Sequence, residues 1–174
     1  MNLNKLAKEV HEDAKAKGFY DEPREDETLL ILIICELAEA VEADRNNRSC
    51  KCFDFDQNLF NDREFKHLFE KYAKDTIEDE LADAMIRILD FAGYKGIDIL
   101  TNPKIVFFFN TKSFPEKLFL ITGLIINNRN GGFIPDSFRY LAILCVEMKI
   151  DWQTHIKLKM RYNKLREHKN GKEY

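Results

Sequence analysis

Residues 29–45 read LLILIICELAEAVEADR: seven apolar residues in a row, then glutamates at 36, 39 and 42 set among small and apolar neighbours. Wound as a helix at about 100° per residue, Leu29, Leu32, Ala40 and Ala43 form one stripe, and Glu36 falls inside it. Glu39 lies between Leu32 and Cys35. A solvated glutamate takes the opposite face, so these carboxylates either point into the molecule or stand at the mouth of a cleft. Burying an ionised carboxylate is costly unless positive charge compensates it. Both acids also sit in the C-terminal half of the helix, where the macrodipole disfavours negative charge. The plainer reading is an exposed E-x-x-E edge satisfied by Lys or Arg from elsewhere.

The frame for that helix is a chain of 174 residues, 45% hydrophobic and 33% charged, which fits one globular domain over 1–174. The longest apolar run is far short of the roughly 18–20 residues that span a bilayer, and MNLNKLAKEVHEDAKAKG lacks the apolar centre of a secretory signal. A cytoplasmic protein without a membrane segment is expected. The net charge of −3 gives no reason to expect nucleic-acid binding. Cys35, Cys50, Cys52 and Cys145 do not form a disulfide framework; Cys35 and Cys145 lie in apolar runs as small hydrophobes. The C-x-C of Cys50 and Cys52 is a weak metal motif without a second Cys/His pair.

Glycine and proline fall between stretches of helical period, so the class is all-α. The pattern predicts helices from Asn2 or Asn4 to Gly18, over 27–45, over DREFKHLFEKYAK at 62–74, and from Asp75 or Thr76 to Gly93 or Gly96. Further helices run from Ser113 to about Asn128, from Asp136, and from Asp151 to HKNG at 168–171. VFFF at 106–109 reads as a strand only in isolation, with no second candidate to pair with.

A second acidic pair stands in DTIEDELADAMIRILDFAG at 75–93, where Glu80 and Asp83 share a narrow polar sector with Arg87 and Asp90. Asp75, Glu78, Asp79 and Glu80 occupy the first turns, where acids suit the helix dipole. That explains Glu78 and Asp79 better than Asp83. Two facing helices with carboxylates at i and i+3 bring four oxygen donors together, the ligand set of a hard divalent cation such as Mg²⁺ or Mn²⁺. A di-iron bundle needs two E-x-x-H motifs; Glu64 and His67 supply one, and His11, His155 and His168 have no glutamate three residues before them.

In DWQTHIKLKMRYNKLREHKNGKEY at 151–174, Lys157, Arg161, Lys164 and His168 share a solvated face. Lys159, Asn163 and Arg166 fall instead between two apolar edges, Ile156 with Met160 and Leu158 with Tyr162 and Leu165. Cations and an amide held there suit phosphate oxygens, or else neutralise the acidic cluster.

CELAEAVEADR followed by EDELADAMIRILDFAG resembles the MazG-like, all-α nucleoside triphosphate pyrophosphohydrolases, which carry E-x-x-E on one helix and E-x-x-D on a later one. HEDAKAKGFYDE near the start and the K-x-x-Y-N-x-x-R ending are also similar to that family's small members. The resemblance covers most of the chain and is weakest over about 100–135. It implies a helical bundle whose core is completed by assembly as a homodimer or homotetramer. It also implies Mg²⁺-dependent hydrolysis of a (deoxy)nucleoside triphosphate to monophosphate and pyrophosphate, in nucleotide-pool house-cleaning. Glu36, Glu39, Glu80 and Asp83 match the family's metal ligands, and Cys35 stands where many members have a further acid. Asp90 falls where some members carry a nucleotide-contacting asparagine.

In that chemistry a carboxylate not saturated by metal accepts a proton from water, and Glu39 is the candidate. Lys159, Tyr162, Asn163 and Arg166 would hold the phosphates, and Phe19, Tyr20 or Trp152 would stack on the base. The competing class is a catalytically silent helical oligomer that binds nucleotide or a protein partner, its acids paired with Lys159, Arg161 and Arg166.

Overall fold

The computed structural model describes residues 1–51, 60–100, 112–127 and 132–171. The described residues form seven α-helices and no strand. The VFFF stretch and Cys52 lie outside them.

Each helix is set by local chemistry. In α1 (Leu3–Ala16), the Asn2 side chain accepts from the Lys5 N–H, satisfying one of the unpaired amides of the first turn. Helix α2 (Asp26–Arg45) opens on Asp26 and Glu27 and closes on Arg45, charges that match its dipole. Helix α3 (Asp62–Tyr72) begins with a reciprocal capping box between Asn61 and Glu64. Glu64 is therefore a cap rather than half of a metal motif. In α4 (Ile77–Lys95), Thr76 caps the start and Gly96, at φ 66°, ends the helix in the left-handed conformation that glycine adopts freely.

Helices α5 (Phe114–Ile126), α6 (Ile134–Glu147) and α7 (Trp152–Lys164) complete the set. Helix α6 starts two residues before the expected Asp136, because Pro135 suits the first turn, where no N–H is required. Helix α7 stops at Lys164 instead of running to 171; the chain breaks and then makes a separate 3₁₀ turn, His168–Gly171.

Helix α4 is the centre of the fold and packs against α1, α2, α6 and α7, while α5 covers α2 and α6. Its Leu81, Met85, Ile88 and Leu89 are wholly buried in the main core. Burying such a side chain contributes about 1.5–3 kcal/mol. A second, smaller core joins α3 to α7 through Phe65, Phe69, Leu158 and Tyr162. The run LLILIIC is less deeply buried than its composition implies. Ile33 is wholly buried, but Ile31 is 52% exposed and Cys35 is an exposed free thiol. Helix α2 is thus covered on its α4 and α5 sides, and its remaining face meets solvent. No described helix is long and apolar enough to cross a membrane.

Candidate metal centre and adjoining cleft

The packing of α2 on α4 brings Glu36, Glu80 and Asp83 together, with one carboxylate oxygen of each within 4.8 Å of the others. Glu36 and Glu80 are 4% and 5% exposed. A second group, Asp75, Asp79 and Glu80, meets within the same limit, so Glu80 belongs to both. Three oxygen donors converging from two rigid helices form a ligand set that fits a hard divalent cation.

Two cations answer these acids, Arg87 half-buried and Lys159 buried. Arg87 Nε donates to Glu36 Oε1 at 2.6 Å. Lys159 Nζ, from α7, lies 2.8 Å from Asp79 Oδ2 and 2.9 Å from Asp83 Oδ2. Four carboxylates, those of Glu36, Asp79, Glu80 and Asp83, thus face two positive charges. Glu80 has no hydrogen bond or ion pair to its carboxylate among the described residues. Burial, with the charge of Asp79 next in weight, pushes its pKa up to about 9. Burial and the nearby Asp83 likewise raise Glu36 against the pull of Arg87. Burial disfavours the charge on Lys159, but Asp83 and Asp79 outweigh it and hold the ammonium protonated.

Beside this centre lies a cleft of about 430 Å³ between α1, the loop after it, α2, α4 and the end of α7. Asp83 lines it, so the cleft and the acidic centre share a wall. Phe19, Tyr20 and Arg24 come from the loop, Arg87 and Asp90 from α4, and Asn163, Lys164 and Arg166 from the chain's last helix and its end. Leu29 and Leu32 of the opening run line it too. Asp90 accepts from Tyr20 Oη at 2.9 Å and lies 2.8 Å from His11 Nδ1. The Tyr20 ring is wedged between His11, edge-on at 4.6 Å, and Tyr94 at 5.3 Å. Tyr20 is fixed as part of the wall. Phe19, with the Arg24 guanidinium 5.8 Å from its ring centre, also lines the cleft and stands outside that aromatic cluster.

The expected site residues divide accordingly. Glu36, Glu80 and Asp83 meet, whereas Glu39 is exposed and outside both groups, although its charge helps to raise Glu36. Glu42 is exposed and pairs with Arg45. Asp90, Asn163 and Arg166 line the cleft, and the Asn163 Oδ1 is buried without a hydrogen-bond partner among the described residues.

Two of the expected aromatic residues lie outside the cleft. Trp152 packs edge-on against Phe138 at 5.6 Å in the main core and does not line the cleft. Tyr162 stacks on Phe69 at 4.4 Å, and its hydroxyl donates to Glu70, so it joins α7 to α3. Lys159 likewise faces the acids and is not among the residues lining the cleft. Arg161, expected to be solvated, donates to Asp62 and lies over the Phe65 ring at 4.2 Å. Cys50 is disulfide-bonded, which removes its thiolate from metal binding.

Sequence reasoning missed Asp79, which is 2% exposed, and His11. Asp79 stands four residues before Asp83, a spacing that puts both on one helical face and would have flagged the pair. His11 has no such signal, since its contact with Asp90 exists only because α1 crosses α4.

Comparison of the chain with family models, curated proteins and solved structures yields no match in any of the three.

Proposed function

We propose that the chain is a divalent-metal-dependent nucleoside triphosphate pyrophosphohydrolase of the MazG-like type, cleaving its substrate to monophosphate and pyrophosphate. The observation that carries this reading is Glu80: a buried carboxyl common to two acid groups, without a hydrogen-bond or ion-pair partner among the described residues, and next to Asp83, which lines a cleft of ligand size. Mg²⁺, or Mn²⁺ in its place, would offset the excess acid charge and the charge of a triphosphate, and would stabilise charge developing in the displacement.

Glu36, Glu80 and Asp83 would hold the cation. Glu39, exposed and outside both acid groups, accepts the proton of the attacking water. Arg166 and Asn163 orient the phosphates, and Phe19 receives the base. Assembly as a homodimer or homotetramer belongs to the same proposal, and exposed Ile31, Phe119, Ile126 and Val146 support it.

One observation favours the silent oligomer instead, namely that Lys159 already neutralises Asp79 and Asp83. It leaves Glu80 unanswered. Incubation with a panel of ribo- and deoxynucleoside triphosphates and Mg²⁺ separates the two readings. Pyrophosphate release by the wild type and its loss in Glu80→Gln support the enzyme; no release from any nucleotide supports the silent oligomer.

A further inference from the structure

We propose that Lys159 is the resident counter-cation of the acidic centre, and that it gives up Asp83, while keeping Asp79, when a divalent cation enters. This rests on the metal reading above and concerns a residue of the chain rather than the ion's geometry.

The two carboxylates that hold Lys159 are unequal. Asp79 has a side chain 1% exposed, and its Oδ2 also accepts the Asp75 backbone N–H at 3.1 Å, so it is an anchor fixed at the first turn of α4. Asp79 also belongs to the acid group with Asp75 and Glu80, but only Asp83 lines the cleft; Asp83, its side chain 20% exposed, belongs to the group with Glu36 and Glu80. It is therefore claimed by both the ammonium and the candidate ion. A cation on Asp83 would repel an ammonium sharing that carboxylate, and low-dielectric surroundings strengthen the repulsion.

Lys159 is 5% exposed, with the rings of Phe69 and Tyr162 at 5.6 and 5.8 Å from Nζ, so the displaced ammonium stays buried and needs a partner. Its flexible stem lets Nζ stay on Asp79 and let go of Asp83 without leaving the wall that Asp83 forms. Asp83 is part of the cleft wall, so the freed donors come to lie beside the cleft, where a phosphate can take the place of the lost carboxylate. Lysine and metal are then antagonists before an anion binds and partners once it arrives.

The test is titration calorimetry with Mg²⁺ alone, then with inorganic pyrophosphate at saturating Mg²⁺, on the wild type and Lys159→Met. The methionine keeps the length and volume of the stem, and circular dichroism checks the fold. The expected result is a crossing: Mg²⁺ affinity rises at least tenfold in Lys159→Met while pyrophosphate affinity falls at least tenfold. A merely structural role lowers both. Unchanged or weaker Mg²⁺ binding by folded Lys159→Met overturns the inference and leaves the metal reading intact; no Mg²⁺ binding by the wild type overturns both. If the variant does not fold, the ¹⁵N resonance of the Lys159 ammonium in the wild type is followed during Mg²⁺ titration. A shift saturating with the metal supports displacement, and an unmoved resonance in the metal-bound protein overturns it.

Discussion

Arg87 of α4 donates to Glu36 of α2 across 2.6 Å, the shortest tie between the two helices that carry the acidic centre. Removing the arginine strands a carboxylate whose side chain is 5% exposed. Breaking a fully buried pair costs about 3–5 kcal/mol; the Arg87 side chain is 27% exposed, so Arg87→Met should lower unfolding stability by about 2 kcal/mol in urea titration. The double variant with Glu36→Gln should recover part of the loss. Additive losses would show that the pair is not coupled.

The metal-free protein should lose stability as pH rises. Glu80 titrates near its ordinary 4.5 when unfolded and at about 9 when folded. Between those values the folded state binds the extra proton, so stability falls with increasing pH. Melting temperature should therefore decline from about pH 5 to about pH 9. Mg²⁺ should remove most of that slope, because it replaces the proton as the partner of Glu80. Glu80→Gln should flatten the metal-free profile, and an unchanged slope in that variant would contradict the assignment.

Phe19 and Trp152 should separate binding from folding. Phe19→Ala removes the aromatic free to stack, and should raise the KM for nucleotide about tenfold with kcat little changed. Trp152→Ala should leave KM alone and cost about 2 kcal/mol of stability through its lost contact with Phe138. Steady-state kinetics beside urea titration reads both, and a larger KM effect at Trp152 would contradict the geometry.

The crossing of α1 over α4 depends on Gly93. A Cβ there would stand 2.4 Å from the Ala7 carbonyl oxygen and 2.8 Å from the His11 Cβ. Alanine is ordinarily the better helix former, yet Gly93→Ala should destabilise by about 2 kcal/mol because two backbones must separate. The movement should also loosen His11 from Asp90, which the chemical shifts of the His11 ring would report.

The readable part of this molecule is what one helix decides by itself. The turns of α2 and α4 and the placing of Glu36, Glu80 and Asp83 on facing sides follow from spacing and caps within each segment. The rest depends on crossings. His11 meets Asp90 only through the α1 contact, Trp152 is absorbed by Phe138 of the preceding helix, and Tyr162 is absorbed by Phe69 of α3, far off in the chain. Lys159 was legible as a cation between apolar edges, but its partners were not. Asp79 was concealed by an ordinary explanation, since acids at a helix start are common. The exposure of Ile31 and Cys35 was hidden by composition, because seven apolar residues in a row do not reveal how many neighbours will cover them.

The most direct measurement of the central claim is the product spectrum, by ³¹P nuclear magnetic resonance, of a nucleoside triphosphate panel incubated with the protein and Mg²⁺. Pyrophosphate and monophosphate should appear in equal amounts from at least one nucleotide, and chelation of the metal or Glu80→Gln should abolish both. Nucleotides left intact throughout the panel with Mg²⁺ and with Mn²⁺, or cleaved to orthophosphate and diphosphate, would contradict it.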